Sequence, residues 1–283
     1  GTLGLLIPPS IIMIVYGVAA NVSIAKLFMA GVLPGILLAL VFMGYIVVWA
    51  LRHPEQVPPA DPPTSFAQKL AASRHLIPVV SLIVLVLGSI YTGVATATEA
   101  AALGVGGSLL LATVEGSMSW KALSEGLASA TRVYCMIGLI LAGAAFLTLA
   151  MGFIGLPRHL AEFIGGLQLS PFALMLMLVV FFIVLGCFLD GISMVVLTMA
   201  VLLPTVQKAG FDLIWFGIFV VLVVELAQIT PPVGFNLFVL QGLTRRDITW
   251  IAAKAMPLFF LMFAFVLLLW FVPGIATWMP SRM

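Results

Sequence analysis

The amino-acid sequence predicts an all-α integral membrane protein, a polytopic helical bundle with inverted repeats, a re-entrant hairpin and proline-broken helices. Composition predicts the membrane class, because 63% of the 283 residues are hydrophobic and 8% are charged, whereas soluble domains carry about 25% charged residues. Prolines and one aspartate interrupt the apolar runs, which predicts the breaks. A recurring proline spacing predicts the repeats. The net charge of +2 is small and spread along the chain, so we expect no nucleic-acid partner.

The apolar runs predict the order of the membrane segments, since a helix needs about 20 apolar residues to cross a bilayer. The chain opens at Gly1 inside such a run, so we expect it to be the C-terminal portion of a longer protein. The predicted segments are 1–22, 27–51, 76–92, 98–113, 133–152, the arms 171–189 and 191–208, 213–242 and 255–273. The predicted connections are a polar loop at 52–75, an interfacial helix at 114–132, a link at 153–170 and a polar loop at 243–254.

Two proline pairs indicate an internal repeat. Pro8 precedes Pro34 by 26 residues, and Pro231 precedes Pro257 by the same interval of 26. In both copies a double proline interrupts a helix, and a further proline follows near the start of the next span. This is the pattern expected when equivalent segments recur in the two halves of a transporter.

Charge predicts how the halves are oriented. We divide the chain into the end of a first repeat (1–51), an inter-repeat loop (52–75) and a second repeat (76–283). If 171–208 is a hairpin that enters and leaves on one side, eight of the twelve Lys and Arg residues share a side, which the positive-inside rule assigns to the cytoplasm. The two broken helices then run in opposite directions, so the repeat is inverted. If 171–208 makes two full crossings, the later assignment reverses. The eight residues are Arg52, Lys69, Arg74, Lys121, Arg132, Arg245, Arg246 and Lys254.

Asp190 lies between two apolar arms, in the middle of the predicted hairpin. A charged side chain at the centre of a bilayer costs about 3 kcal/mol or more, so such residues are candidates for function. One interpretation is an ion- or substrate-binding carboxylate. The other is a helix cap, with Gly191 supplying the bend, and the two are compatible. The hydroxyls of Ser193 and Thr198 offer oxygen ligands or bond to their own helix.

The sequence Thr230–Gly234, TPPVG, breaks another apolar run. A proline lacks an N–H donor and clashes with the carbonyl four residues earlier, so Pro231 and Pro232 should release the carbonyl oxygens of Ala227 and Gln228. Freed carbonyls and a threonine hydroxyl suit Na⁺, and the helix that follows the break favours an anion at its N-terminus. The alternative is a proline kink repaired by neighbouring helices.

Further polar groups accompany these breaks. The equivalent break in the first repeat is Ile7–Ser10, IPPS, and Asn236 follows the second break with an amide that both donates and accepts. Glu99 begins a predicted span, where an acidic residue complements the helix N-terminus. Glu225 lies six residues before Pro231, and it is either a coupling-ion or proton residue or a buried structural partner.

Enzyme motifs are missing from the sequence. It contains no HExxH motif, its three histidines fall in predicted loops, and an intramembrane aspartyl protease would need a second deep aspartate. A channel would need rings of polar or charged pore-lining residues, which the Leu-, Val- and Phe-rich arms do not supply. We therefore expect a transporter rather than an enzyme, with a channel as the less favoured alternative.

Taken together, these motifs resemble the large membrane subunit of tripartite ATP-independent periplasmic (TRAP) transporters. The matching stretches cover both ends of the chain in the family's order, and TPPVGxNLFV is a fairly specific motif. The stretches are GTLGLLIPPSI (1–11), TATEAAALG (96–104), LGCFLDGISM (185–194), LLPTVQKAGFDLIWFGI (202–218) and ITPPVGFNLFVLQG (229–242).

This resemblance implies a function and partners. Such proteins are sodium-coupled importers of small organic acids, often C4-dicarboxylates or sialic acid, in the bacterial inner membrane. They receive substrate from a soluble periplasmic binding protein, work with a small four-helix membrane subunit, and are thought to move as an elevator against a scaffold. Na⁺ would be the coupling ion, with no other cofactor. The closest alternative is a stand-alone sodium/dicarboxylate symporter or exchanger of related architecture.

The resemblance also implies a site. The first-repeat hairpin of the family would lie upstream of this chain, and the first-repeat break would contribute Pro8, Pro9 and Ser10. Na⁺ would bind at the hairpin tip and the broken helix of the second repeat. The implied second-repeat residues are Gly186, Asp190, Ser193, Thr230, Pro231, Pro232, Val233, Gly234 and Asn236.

Overall fold

A computed structural model gives the fold of the chain and describes residues 2–57, 65–155, 159, 162–163, 166, 169–231 and 234–282. The described residues form α-helices, short 3₁₀ turns and their links, with no strand among them. The helices are α1 (Ile11–Ala20), α2 (Ile24–Arg52), α3 (Phe66–Ser73), α4 (Ile77–Tyr91), α5 (Ala97–Val114), α6 (Trp120–Ile154), α7 (Pro171–Gly186), α8 (Gly191–Lys208), α9 (Leu213–Gln228), α10 (Phe235–Thr244), α11 (Ile248–Phe271) and α12 (Gly274–Thr277).

Five of these helices are long and apolar enough to cross a membrane: α2, α5, α6, α8 and α11. Shorter apolar helices accompany them, namely α1, α4, α7 and α9. Length and composition together confirm the predicted class, an all-α polytopic membrane protein.

The chain forms two compact units. Unit 1 comprises Gly1–Phe42 and Cys135–Met283, and unit 2 comprises Met43–Tyr134. These units follow contacts within the chain rather than sequence equivalence, so the predicted division into repeats at 52–75 stays a prediction.

Helix α9 forms the core of unit 1. Every residue from Trp215 to Gln228 is buried, because α1, α7, α8 and α11 all pack against it. Two hydrogen bonds fix its first turn: Tyr16 Oη donates to the Leu213 carbonyl (2.7 Å) and Trp215 Nε1 donates to the Leu269 carbonyl (3.2 Å). The apolar helix α9 is therefore shielded by protein on all sides.

Unit 2 is built around the pair α4 and α5. Helix α5 begins with a capping box, in which the Glu99 carboxylate accepts the Thr96 N–H (2.8 Å) and the Thr96 hydroxyl accepts the Glu99 N–H (3.3 Å). The prediction of Glu99 as a helix N-terminal acid is confirmed. Gly104 and Gly107 of α5 lie against side chains of α4, so small residues set this helix contact.

Breaks interrupt the helices of unit 1 where the sequence predicts them. The four-residue turn Cys187–Asp190, here called the tip, joins α7 to α8. The segment Ile229–Gly234, called the second break, separates α9 from α10, and Leu6–Ser10, called the first break, precedes α1. Pro232 and Val233 lie outside the described residues.

Three predicted segments differ in the structure. From Trp120 onward, the predicted interfacial helix 114–132 and the predicted span 133–152 form one continuous helix, α6, which ends at Ile154. The predicted loop 52–75 contains α3, which starts where the Gln68 side chain accepts the Ser65 N–H (2.9 Å). The predicted loop 243–254 is short, because α11 already begins at Ile248. Half of the predicted link 153–170 lies outside the described residues.

Candidate functional site

Asp190 is the N-cap of α8 and closes the tip. One of its carboxylate oxygens accepts the N–H groups of Ile192 (3.1 Å) and Ser193 (3.3 Å), and the other accepts the Ser193 hydroxyl. The structural interpretation of Asp190 is thus observed directly. A carboxylate has about four acceptor positions, and the Asp190 side chain is exposed, so capping leaves room for a cation.

Two carbonyl oxygens lie close to Gly234 at the second break. Gly234 is buried, has φ +23°, and a Cβ there would lie 2.9 Å from the Thr230 carbonyl oxygen and 3.0 Å from that of Gln228. Only glycine tolerates this approach and backbone conformation. Two carbonyl oxygens with negative partial charge therefore lie close to the Gly234 backbone beside the C-terminus of α9, which favours a cation nearby.

Of the two carbonyl oxygens that Pro231 and Pro232 are expected to release, one is hydrogen-bonded in the structure. The Ala227 carbonyl accepts the Thr230 N–H (3.1 Å), so the prediction that it is released was wrong. The Thr230 hydroxyl donates to the Leu226 carbonyl (2.8 Å), which leaves the acceptor side of that hydroxyl for a ligand. The hydrogen bond of a local turn thus satisfies a carbonyl oxygen that the proline rule alone predicts to be unpaired.

Gln228 joins the start of α8, just after the tip, to the start of α10, just after the second break, a role that sequence reasoning missed. Its Oε1 accepts the Asn236 side-chain amide (3.3 Å), and its Nε2 lies 2.4 Å from where a Cβ on Gly191 would be. The Gln228 side chain is 6% exposed. The available signal was its position, since Gln228 is the only amide in the apolar run 213–228.

A second contact joins the tip to the second break. The Cys187 thiol, on the tip, lies 3.5 Å from the Pro231 carbonyl oxygen and 3.4 Å from that of Ile183. Gly186 packs so closely on α9 that an added Cβ would lie 2.3 Å from the Ala227 Cβ. The tip and the second break therefore contact each other through the Cys187 thiol and the Pro231 carbonyl.

Helix α1 links the first break to this region. Ser10 is 1% exposed and caps α1, where its hydroxyl accepts the Met13 N–H (3.3 Å) and donates to the Leu5 carbonyl. Pro8 is buried and Pro9 is exposed, with a cis bond between them. Ile12, on the first turn of α1, lies against Gly191. Helix α1, which follows the first break, therefore contacts the start of α8 through Ile12, and the role of Pro8, Pro9 and Ser10 in a site stays a prediction.

Glu225 takes no part in these contacts. Its side chain is fully buried, and neither carboxylate oxygen has a hydrogen-bond partner among the described residues. The Leu6 backbone amide faces this carboxyl, but its hydrogen bond goes to the Leu3 carbonyl (3.2 Å). Among the described residues, the Leu6 amide of the first break therefore faces the Glu225 carboxyl without a hydrogen bond of good geometry.

The arrangement suits a cation held by neutral oxygens. Across the described residues, no cluster of three or more His, Cys, Asp or Glu residues could hold a metal. The available oxygen ligands are carbonyls of the second break, hydroxyls and the Asp190 carboxylate. Helix ends and opened backbone on discontinuous helices are typical of the binding sites of membrane transporters.

Comparison with known proteins places the chain in a family of that class. The model for the DctM component of the tripartite ATP-independent periplasmic transporter matches residues 1–275. The chain belongs to this family, the large permeases of TRAP transporters, as the motifs of the sequence predict. It is a multi-pass membrane protein, and its relatives are inner-membrane permeases rather than enzymes.

Three relatives show how far the likeness extends. The C4-dicarboxylate TRAP transporter large permease protein DctM of Pseudomonas aeruginosa is 32% identical over 99% of this chain and 65% of its own length. The ectoine/5-hydroxyectoine TRAP transporter large permease protein UehC of Ruegeria pomeroyi is 33% identical, over 96% and 63%. The isethionate TRAP transporter permease protein DctMQ of Oleidesulfovibrio alaskensis is 32% identical, over 97% and 43%. The chain spans less than two thirds of the length of each relative.

Proposed function

We propose that the complete protein is the large permease of a sodium-coupled importer of small organic acids, of the C4-dicarboxylate or sialic-acid type. The observation that carries this proposal is the close approach of the Thr230 and Gln228 carbonyl oxygens to Gly234, beside a tip capped by Asp190. Membership of the TRAP family supports import as the direction of transport and small organic solutes as the class of substrate. The relatives' names include a dicarboxylate, a sulfonate and ectoine, which supports a class of small polar solutes rather than one molecule.

Na⁺ binds, in this proposal, between the tip and the second break. Carbonyl oxygens at the C-terminus of α9 carry negative partial charge, and the spare acceptor positions of Asp190 and Thr230 complete an oxygen shell. Unwound carbonyls and half-helix C-termini bind coupling ions in other discontinuous-helix transporters. The cation then favours a substrate carboxylate nearby.

The substrate carboxylate binds to neutral donors. The N-terminus of α10 offers N–H groups and positive partial charge, and the amides of Gln228 and Asn236 lie beside it. The N-terminus of α8 is already compensated by Asp190, so it is the weaker anion site. Ser10 and the first break would complete the site together with segments of the first repeat.

Coupling further involves Glu225 in this proposal. A buried carboxyl without a partner is costly and is a candidate for ion or proton movement. The loaded transport unit then moves as an elevator, driven by the inward sodium gradient. Its partners are a small membrane subunit and a periplasmic binding protein, as the tripartite family name indicates.

Uptake in proteoliposomes tests this proposal. The full-length protein and its small subunit are reconstituted, and labelled C4-dicarboxylate or sialic acid is offered with and without a sodium gradient and the cognate binding protein. We expect uptake that requires both. Sodium-driven uptake without the binding protein would indicate a stand-alone symporter, and passive flux that ignores sodium would indicate a channel.

A variant pair tests the second break. Pro231→Ala combined with Pro232→Ala restores two N–H donors, so the helix re-forms and we expect sodium coupling to be lost. Pro257→Ala is the matched control, because Pro257 lies inside the continuous helix α11, and it should keep coupling. Wild-type sodium dependence in the double variant would refute the ion site.

A further inference from the structure

A cavity of about 340 Å³ lies in unit 1, where α8 ends and α9 begins. Its volume falls within the range of small-molecule sites, roughly 300–1,000 Å³. It is distinct from the tip and the breaks, and the transport site does not use it. Its lining residues include Pro171, Phe211, Asp212, Trp215, Trp270 and Thr277.

Three aromatic rings, which pack against one another, line part of this cavity. The ring centroids of Phe211 and Trp215 are 5.7 Å apart, those of Phe211 and Trp270 are 5.8 Å apart, and those of Trp215 and Trp270 are 5.9 Å apart. The Trp215 indole is held in place by its hydrogen bond to the Leu269 carbonyl. Aromatic faces attract ammonium groups, most strongly when the cation leaves water.

Asp212 adds a negative charge to the aromatic wall. Its Oδ1 accepts the Trp215 N–H (2.7 Å) as the N-cap of α9, while the side chain stays exposed. Aromatic rings with one carboxylate favour an alkylammonium group over a neutral or anionic one.

A second cavity, of about 220 Å³, adjoins the first, and Asp212 and Thr277 line both. Lys26 and Ser281 contribute to its wall. No ion pair joins Lys26 to Asp212 among the described contacts, although both side chains line this cavity. A cation here suits a phosphate, and the two cavities together offer opposite charges to one zwitterion.

The surroundings favour a lipid as the source of that zwitterion. Phe271, Val272 and Trp278, near the cavities in sequence, are 70%, 45% and 57% exposed, which provides an apolar surface for acyl chains. Tryptophans concentrate where membrane meets water, and Arg282 stacks over Trp278 at 5.9 Å. We propose that the two cavities bind the headgroup of phosphatidylethanolamine, with its ammonium against Asp212 and the aromatic rings and its phosphate at Lys26.

Native mass spectrometry of the delipidated full-length protein tests this site. We expect phosphatidylethanolamine to bind at least tenfold more tightly than phosphatidylglycerol, which shares the phosphate but lacks the ammonium. Equal retention of the two lipids would overturn the proposal. Soluble phosphoethanolamine is the competitor that distinguishes a lipid headgroup from a free molecule of the same chemistry. If it displaces the lipid at equal concentration, the site binds a soluble amine instead.

Three variants assign the roles of the side chains. Asp212→Asn keeps an N-cap of equal quality but removes the charge. It should therefore weaken the binding of phosphatidylethanolamine about tenfold and leave the binding of phosphatidylglycerol unchanged. Trp270→Leu should do the same. Lys26→Gln should weaken the binding of both lipids, since both carry a phosphate.

Asp247→Asn is the matched control, because Asp247 is the N-cap of α11 and lines neither cavity. It should bind both lipids like the wild type. Thermal unfolding without added lipid checks that each variant is folded. Unchanged phosphatidylethanolamine binding in folded Asp212→Asn and Trp270→Leu would overturn the assignment.

Discussion

Helices α9 and α5 are both apolar, α9 more so, and protein covers them to very different extents. In unit 1, all residues from Trp215 to Gln228 of α9 are buried. In unit 2, Ala100 is the one residue of α5 that is buried. Hydrophobicity places both helices in a membrane, but it does not decide which of them protein covers.

The difference lies in how closely neighbouring helices approach. Gly186, Gly191 and Gly217 face α9 or lie on it, and each position leaves no room for a Cβ without a shift. In α5, Gly107 meets Leu82 of α4, but Gly106 has no neighbour within 4 Å. Lipid tails are as apolar as leucine, so small residues and polar groups, rather than hydrophobicity, drive helix association in membranes.

Polar residues divide in the same way. The polar residues of α9, Glu225 and Gln228, are buried, and the Gln228 amide joins the start of α8 to the start of α10. The polar residues at the start of α5, Thr96 and Glu99, close a capping box at an exposed helix end. The polar side chains of α9 are therefore enclosed by protein, whereas those at the start of α5 cap an exposed helix end.

Gly186→Ala should have the largest effect on stability, because it disturbs the close packing around the buried helix α9. The added Cβ would lie 2.3 Å from the Ala227 Cβ and 3.1 Å from the Ala227 Cα, so the backbone of α7 or α9 must move. Overpacking of this kind costs about 3 kcal/mol. Thermal and denaturant unfolding of the detergent-solubilised full-length protein measures the loss.

Gly106→Ala is the matched control in α5, where the new methyl meets no atom within 4 Å. It should leave stability unchanged or raise it slightly, because alanine favours helix more than glycine. Combining Gly186→Ala with Ala227→Gly should restore part of the loss. Equal stability of Gly186→Ala and Gly106→Ala would show that the close approach of α7 and α9 is not needed.

Asp190→Ala should have a smaller effect. It removes the cap that accepts the N–H groups of Ile192 and Ser193, and loss of an N-cap costs about 1 kcal/mol. Asp190→Asn keeps a cap and should recover most of this stability. Thr96→Ala, which removes the corresponding cap of α5, should cost a similar amount.

Sodium dependence of uptake separates the cap from the ion site at Asp190. Asp190→Asn lacks the negative charge, so its apparent affinity for Na⁺ should fall about tenfold while its stability stays near that of the wild type. If Asp190→Asn and the wild type respond to sodium equally, Asp190 is a cap alone.

The sequence predicts the breaks well because their causes are local. Proline removes a donor, Asp190 caps the helix that follows it, and Gly234 permits a rare backbone angle, so the tip and both breaks occur where expected. The side-chain role of Gln228 could not be predicted, since it depends on the approach of Gly191 and Asn236 from other segments. Burial likewise depends on tertiary contacts, which composition does not encode.

Helix boundaries show the same limit. The charged residues Lys121, Glu125 and Arg132 suggested a separate interfacial helix, yet α6 continues through them to Ile154. Lys121 and Glu125 lie one turn apart, with Nζ and Oε1 3.9 Å from each other. Charges at this spacing are compatible with a continuous helix, and a composition change alone does not end one.

Glu225→Gln should change stability least and transport most. Glutamine has nearly the same shape, and no described partner is lost, so we expect the free energy of unfolding to stay within about 1 kcal/mol, whereas breaking a buried ion pair costs about 3–5 kcal/mol. If Glu225 couples ion movement to transport, sodium-driven uptake should fall more than tenfold. Unfolding and proteoliposome uptake are measured on the same preparation.

Glu125→Gln is the matched exposed control on α6. Its pair with Lys121 is solvent-exposed, and such pairs contribute little, about 0.3–0.5 kcal/mol, so both stability and uptake should stay near wild type. A loss of about 3 kcal/mol in Glu225→Gln would instead reveal a structural partner for Glu225 beyond the described residues. Unchanged stability together with unchanged uptake would remove Glu225 from the coupling mechanism, because a buried carboxyl that moves neither quantity is not required for folding or transport.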